Sequence, residues 1–248
     1  MLFNAKPACF EIRNGNTIVA QPQPGADDES VRVFIMGSCF GILQMQRGRI
    51  PIHGGALEVN GQALVVTGDS GAGKSTAVSA MVDAGYRYLT DDVAPVVVND
   101  DGVFVLPGYP QRKLCADVCT AFGISPQGLP VIDEERQKYA IRNRAEWHDT
   151  PLRFGWLVEL VPDEACGDYR AERVAGGESL GVLLHNLYRN YVQLGFGVEP
   201  AQMKQLLRIA SQIKGYRLRR PMGPIEPEKL VGSLVGLAGE EKWQETQK

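Results

Sequence analysis

Apolar positions along this chain switch between alternation, helical spacing and short unbroken runs, and each switch marks an element. Residues 9–13 and 17–20 alternate as two strands around Asn14-Gly15-Asn16, and 21–30 form a polar loop with Pro22, Pro24 and Gly25. Residues 31–47 are mostly apolar at helical spacing and stop at Gly48, although the alternation over 31–35 leaves a strand start open. Two β-prone runs, 55–59 and 62–67, flank Asn60-Gly61. That pair favours a type I′ hairpin, whose two turn positions both need positive φ. A tight hairpin fixes register, so 59 faces 62, 58 faces 63 and, carried down the ladder, His53 faces Gly68.

Residues 75–84 carry Ala77, Val78, Met81 and Val82 at helical spacing, with Gly85 as C-cap. Further strands are expected at 86–90, 93–98, 103–106, 138–141 and 154–160, and further helices at 113–122, 178–191, 201–214 and 227–237. This order predicts an α/β fold, a mixed sheet with flanking helices, in one domain over 1–248. Its parts are N-terminal strands and a helix over 1–50, a core over 51–125, strands and helices over 126–240, and a frayed tail at 241–248.

Between the strand at 62–67 and the helix at 75–84 stands Gly68-Asp69-Ser70-Gly71-Ala72-Gly73-Lys74-Ser75, which satisfies G-x-x-x-x-G-K-[ST] in full. The spacing has a physical reason. Glycines let the backbone curl until several N–H groups point at one set of phosphate oxygens. Lys74 can reach the outer phosphates, Ser75 offers a hydroxyl to Mg²⁺, and a helix starting near Lys74 and running through Thr76 adds its positive end. The ligand expected on Gly68 to Thr76 is therefore ATP with Mg²⁺.

Asp91 and Asp92 follow the strand at 86–90, which should run parallel to the strand before the loop and deliver both acids to the same sheet edge. One carboxylate can serve the metal, a role given to Asp91 beside Ser75. The other, Asp92, can take a proton from an incoming hydroxyl. His53 joins them on the hairpin register, either touching the phosphate site or remaining a structural histidine. His148 and His185 have no comparable argument. Arg112, Lys113, Lys138, Arg142 and Arg144 are candidates for neutralising transition-state charge. Arg217, Arg219 and Arg220 form a basic patch on a late strand, either a solvated edge or a contact for an acidic partner.

Composition narrows the class. Hydrophobic residues make up 44% and the net charge is −3, which supplies a core and argues against a nucleic-acid surface. No apolar run reaches the roughly 18 residues of a membrane span, and the first residues lack the pattern of a signal peptide, so a soluble cytoplasmic protein is expected. The 5 cysteines form no framework. Cys115 and Cys119, four apart on the expected helix, could share a metal but have no second ligand pair.

Three stretches in order carry a resemblance: His53-Gly54-Gly55-Ala56-Leu57, the phosphate loop, and Ala84-Gly85-Tyr86-Arg87-Tyr88-Leu89-Thr90-Asp91-Asp92. Together they resemble the catalytic core of the HPr kinase/phosphorylase family over about residues 50–95. Residues 107–113 are more loosely similar to shorter HPr-kinase-like proteins. The resemblance implies a fold related to the C-terminal domain of HPr kinase and to phosphoenolpyruvate carboxykinase. It also implies catalytic roles for His53, Lys74 and Asp92, a magnesium role for Ser75, and a later catalytic arginine for which Arg142 is the choice. The family's magnesium-binding glutamate, in an E-I-R-G-like segment, has no counterpart. The bacterial HPr enzymes carry a further N-terminal domain for which this chain leaves little room, so HPr itself is not the expected acceptor.

Short members of this type resemble kinases of lasso-peptide biosynthesis. The expectation is a serine kinase acting on a peptide or small protein, a precursor peptide above all, with phosphorolysis and a homo-oligomer left open. A small-molecule alcohol kinase and a nucleotide-dependent switch protein are the alternatives; no N-K-x-D guanine signature is present.

Overall fold

The computed structural model of the chain describes residues 1–133, 137–189 and 197–239. At its centre, β4 (Ile50–Val59) and β5 (Gln62–Thr67) pair antiparallel from Val59↔Gln62 to Gly54↔Thr67. Asn60 and Gly61 turn the hairpin with φ of 50° and 72°, the left-handed pair that a type I′ turn requires. β4 is longer than its predicted half. Its first residues run past the end of β5 and, on the opposite edge, pair with β7 (Val93–Asn99), His53 lying opposite Val93. The predicted His53–Gly68 pairing is not made, because the β5-facing edge of β4 is taken there by residues 186–188: the His53 amide donates to Asn186 O at 2.8 Å and the Tyr188 amide to Pro51 O at 2.9 Å.

The remaining strands complete a mixed sheet. β6 (Tyr88–Thr90) pairs antiparallel with β4, so it runs in the same direction as β5 with β4 between them. β8 (Gly102–Val105) follows β7, and β12 (Leu152–Asp163) lies parallel to β5. The start of β12 also meets β8, which curls the sheet back on itself. β14 (Lys214–Pro221) runs parallel to β12, and β13 (Arg170–Val174) forms the outer strand beside it.

Period-2 alternation divides the core between two faces. Ala63 and Val65 pack with the helices α5 (Gly177–His185) and α6 (Pro200–Gln212). Leu64 and Val66 pack with α3 (Lys74–Asp83) and α7 (Pro227–Gly239). β5 is covered on both sides, which is why its sequence reads as an unbroken apolar run.

A smaller unit precedes this sheet. Strands β1 (Leu2–Ala5), β2 (Ala8–Arg13) and β3 (Thr17–Pro22) form a meander over Phe10, Ile12, Ile42 and Leu43. The expected 31–47 helix is helical throughout with no strand start: α1 (Asp28–Phe34), a π-helical turn (Ile35–Cys39) and α2 (Phe40–Gln46).

Four expectations need correction. The 113–122 helix is a strand, β9 (Arg112–Cys115), followed by a short helix, α4 (Ala116–Ala121). β9 is drawn into a ladder with β11 (Lys138–Ile141), and pairing overrides local propensity there. Cys115 consequently caps α4 while Cys119 lies inside it, and among the described residues no cluster of metal-ligating side chains occurs. The 178–191 helix ends at His185, and its expected end at 190–191 lies outside the described residues, as does the tail at 241–248. β14 is not a solvated edge, since β13 covers it. The small strand β10 (Val131–Asp133) beside β11 was not foreseen.

Candidate active site

Strand β5 ends at Thr67, and the glycine-rich loop curls through Gly68, Gly71 and Gly73 with φ of 135°, 83° and 103° before α3 begins at Lys74. These are backbone conformations that favour glycine. Asp69, Ser70 and Gly71 are exposed; Ser75 and Thr76 open the helix half-buried. Lys74 is only 9% exposed and donates to the carbonyls of Gly68 at 2.8 Å and Asp69 at 2.9 Å. Its ammonium is thus folded onto the loop, and burial lowers its pKa from the ordinary lysine range.

The two acids beyond β6 have opposite surroundings. Asp91 is 4% exposed; its Oδ2 accepts from the Lys113 amide at 2.7 Å, while its Oδ1 is buried with no partner among the described residues. Burial raises this carboxyl to about 6. Asp92 accepts from Lys113 Nζ at 2.8 Å, and its other oxygen lies 3.4 Å from His53 Nδ1. Burial opposes its charge, but the Lys113 ammonium overcomes that and holds it down at about 2. Lys113 is raised in turn, since Asp92 outweighs its own burial. His53 is lowered, because burial exceeds the pull of Asp92.

Asn186, just past the end of α5, ties the hairpin to the loop. Its carbonyl accepts from the His53 amide at 2.8 Å, and its Oδ1 accepts from the Gly68 amide at 3.1 Å. Its Nδ2 donates to Val182 O at 2.9 Å, close to Glu159. His185 lies 2.8 Å from Asp69 at the exposed mouth of the loop. On the loop's other side Arg220, 5% exposed, donates to the carbonyls of Ala72 at 2.9 Å and Gly71 at 3.4 Å. Arg217 and Arg219 are engaged differently, with Glu159, and with Glu172 and Asp163. The π-helical turn roofs the acids: a Cβ on Gly37 would meet Tyr188 Oη, Lys113 Nζ and Asp92 Oδ2.

The structure therefore brings His53, the loop, Asp91, Asp92 and Lys113 to one sheet edge, and the charge of Lys138 reaches Asp92. It does not bring Arg142 to that cluster. Arg142 donates to Gln111 at 2.9 Å and to Glu29 at 3.0 Å. Arg112 faces away, held by Ser79 and Glu146; Arg144 stacks over Trp147; and His148 lies against Glu58. Sequence reasoning missed Asn186, His185 and Tyr188. They lie more than a hundred residues from the loop in sequence, and no local pattern marks them.

For magnesium the residues fit. Among the described residues, Asp91 Oδ1 is a buried carboxylate oxygen without a partner, and the half-buried Ser75 hydroxyl makes no hydrogen bond. Magnesium asks for few protein oxygens beside phosphate and water.

No family model matches the chain. Among curated proteins it is 25% identical over 154 residues to the HPr kinase/phosphorylase of Lachnoclostridium phytofermentans, covering 51% of this chain and 50% of that protein. It is 25% identical over 180 residues to that of Streptococcus gordonii, covering 66% and 55%. The chain thus spans about half the length of these relatives. Among solved structures, the HPr(Ser) kinase/phosphatase of Coxiella burnetii aligns with a TM-score of 0.41 and 14% identity, over 79% of this chain and 94% of that one. The curated similarities support an HPr kinase-like family for this chain.

Proposed function

We propose that the protein is an ATP-dependent phosphotransferase that moves the γ-phosphoryl group to a serine hydroxyl of a peptide or small protein. The observation that carries this reading is the Asp92–His53–Lys113 cluster standing at the same sheet edge as a complete phosphate loop. A loop alone would suit any nucleotide-binding protein. A half-buried acid paired with a cation beside it suits an enzyme that must accept a proton.

In this scheme the serine oxygen forms a bond to the γ-phosphorus as the bond to the bridging oxygen breaks, and ADP leaves with the electron pair. The serine proton passes to Asp92 and then to solvent. A base with a pKa of about 2 is weak. Phosphoryl transfer tolerates that, because little proton removal is needed before a loose transition state. Lys74 leaves the loop carbonyls for the phosphate oxygens, and Lys113 adds a second cation next to the acid. His53, neutral once its pKa is lowered, orients Asp92 through Nδ1. Magnesium, held by Ser75 and Asp91, would neutralise charge on the phosphates. The chain acts in this reading as one unit over 1–248, and a short precursor peptide of the lasso type is the acceptor proposed within the class.

The test is transfer of label from γ-³²P-ATP. Serine-containing peptides, some ending in serine, should gain one phosphate each, and Asp92→Asn should reduce transfer by about 10²–10⁴-fold while Mg-ATP still binds. Label released only to water, or an Asp92→Asn enzyme as fast as wild type, would overturn the assignment. Label on a free alcohol but on no peptide would favour a small-molecule kinase.

A further inference from the structure

Beside the acids the surface opens into a trough. A hollow of about 30 Å³ touches Asp91, Asp92, Lys113, Met36, Tyr109 and Gln111. It adjoins a larger one of about 160 Å³, which shares Met36, Tyr109 and Gln111 and reaches Glu29, Arg32 and Arg142. One wall is α1 with the π-helical turn; the other is the 107–113 segment leading into β9. Tyr109 stands 44% exposed at the junction.

Strand alternation decides which side chains face this trough. Gln111 and Lys113 point into it, towards Arg142 and Asp92, while Arg112 between them points to Ser79 behind. Ile141 pairs with Arg112, so Arg142 comes level with Gln111, two strand positions from Lys113. At about 3.3 Å per residue that is about 7 Å, the span of two residues of extended peptide.

The far end of the trough is positive. Glu29 accepts from Arg32 at 2.6 Å and from Arg142 at 3.0 Å, so two guanidinium groups share one carboxylate. Arg142 is fixed through Nε by Gln111 and through Nη2 by Glu29, and its Nη1 has no partner among the described residues. A planar cation held this way is prepared for a second carboxylate.

We infer that the trough receives an extended acceptor peptide, and that Arg142 selects an acidic side chain two or three residues from the acceptor serine. This rests on the phosphotransfer reading. It gives Arg142 a role in acceptor recognition in place of one at the phosphoryl group.

The test uses fluorescein-labelled nine-residue peptides, each with one serine and one glutamate two or three positions before or after it. Each is matched by a glutamine version and a lysine version. Anisotropy with Mg-AMP-PNP measures binding, and γ-³²P-ATP measures transfer. In one of the four placements wild type should bind the glutamate peptide about tenfold more tightly than its glutamine partner. Arg142→Gln should bring that ratio towards one, and Arg142→Glu should shift the preference to the lysine peptide, a gain that a misfolded variant cannot give. A wild-type ratio of one in all placements, a ratio retained in Arg142→Gln, or no saturable binding overturns the inference. Charge-selective binding without any transfer upholds the trough and overturns the kinase reading. Equal transfer to glutamate and glutamine peptides does the reverse.

Discussion

Asp91 and Asp92 are adjacent, yet one is a raised acid and the other a depressed one, because only Asp92 has a cation at its carboxylate. The difference sets a pH signature. Asp91 has a folded pKa of about 6 against an ordinary 3.8, so between those values the folded protein binds more protons than the unfolded chain. Its contribution therefore lowers stability as pH rises from 4 to 6. Asp92, at about 2, acts the other way and only below pH 4. Asp91→Asn should remove the decline between pH 4 and 6 and leave the protein more stable at pH 7 by on the order of 2 kcal/mol. Urea unfolding of both proteins across pH 4.5–7 measures this without added magnesium; parallel curves would refute it. At this scale the sequence was legible in residue type and not in environment. The Asp-Asp pair and Lys113 were visible as candidates, but the ammonium on Asp92 comes from a segment expected to be helix. It proved to be β9, and a strand there puts Lys113 and Gln111 on one side.

The elements around the loop depend on close approach. A Cβ on Gly55 would lie 2.2 Å from Val78 Cγ2, and one on Gly54 would lie 2.4 Å from the Val66 carbonyl oxygen. β4 can therefore lie under α3 and against β5 only because both positions lack side chains. Gly55→Ala should push α3 away from the sheet and cost about 1–3 kcal/mol, read as a lower urea midpoint. The same shift moves Lys74 at the start of α3, so Mg-ATP affinity should fall with it; an unchanged midpoint would show that the packing relaxes at no cost. The glycine pair stood out in the sequence beside His53, and the hairpin turn was fixed by Asn60-Gly61 in position and register. What could not be read was the departure of β4 from β5 at His53. That depends on residues 186–188, which bond to the β5-facing edge of β4 from a far later part of the chain.

Across the whole molecule the site is assembled from distant parts of the chain: the N-terminal π turn, the hairpin, the loop, β9, the end of α5 and the end of β14. Arg220 and Asn186 grip the phosphate loop from opposite sides, and α3 and α7 share one face of the sheet. A ligand on that loop should therefore stabilise the folded chain as a unit. Mg-ATP at a hundredfold excess over its Kd should add about 2.7 kcal/mol. For a domain of this size that is roughly 5–10 °C in Tm, and Lys74→Ala should lose most of the shift in a thermal melt. No shift in the wild type would remove nucleotide from the account. The late basic trio was legible as charge, but not its division into a pair with the buried Glu159, a more exposed bridge to Asp163 and Glu172, and one buried strut on the loop, since Glu172 lies on β13, which had no clear sequence signal. Gly37, at the roof of the site, has a consequence of its own. A single methyl there would come to rest 3.4 Å from Tyr188 Oη, 3.5 Å from Lys113 Nζ and 3.7 Å from Asp92 Oδ2, in plain contact with all three. In the proposed phosphotransfer, anything larger would take up space beside Asp92 on the side where the hydroxyl would arrive. Position 37 is accordingly a gauge of clearance: under that proposal, graded bulk installed there measures how much room a reacting alcohol would require.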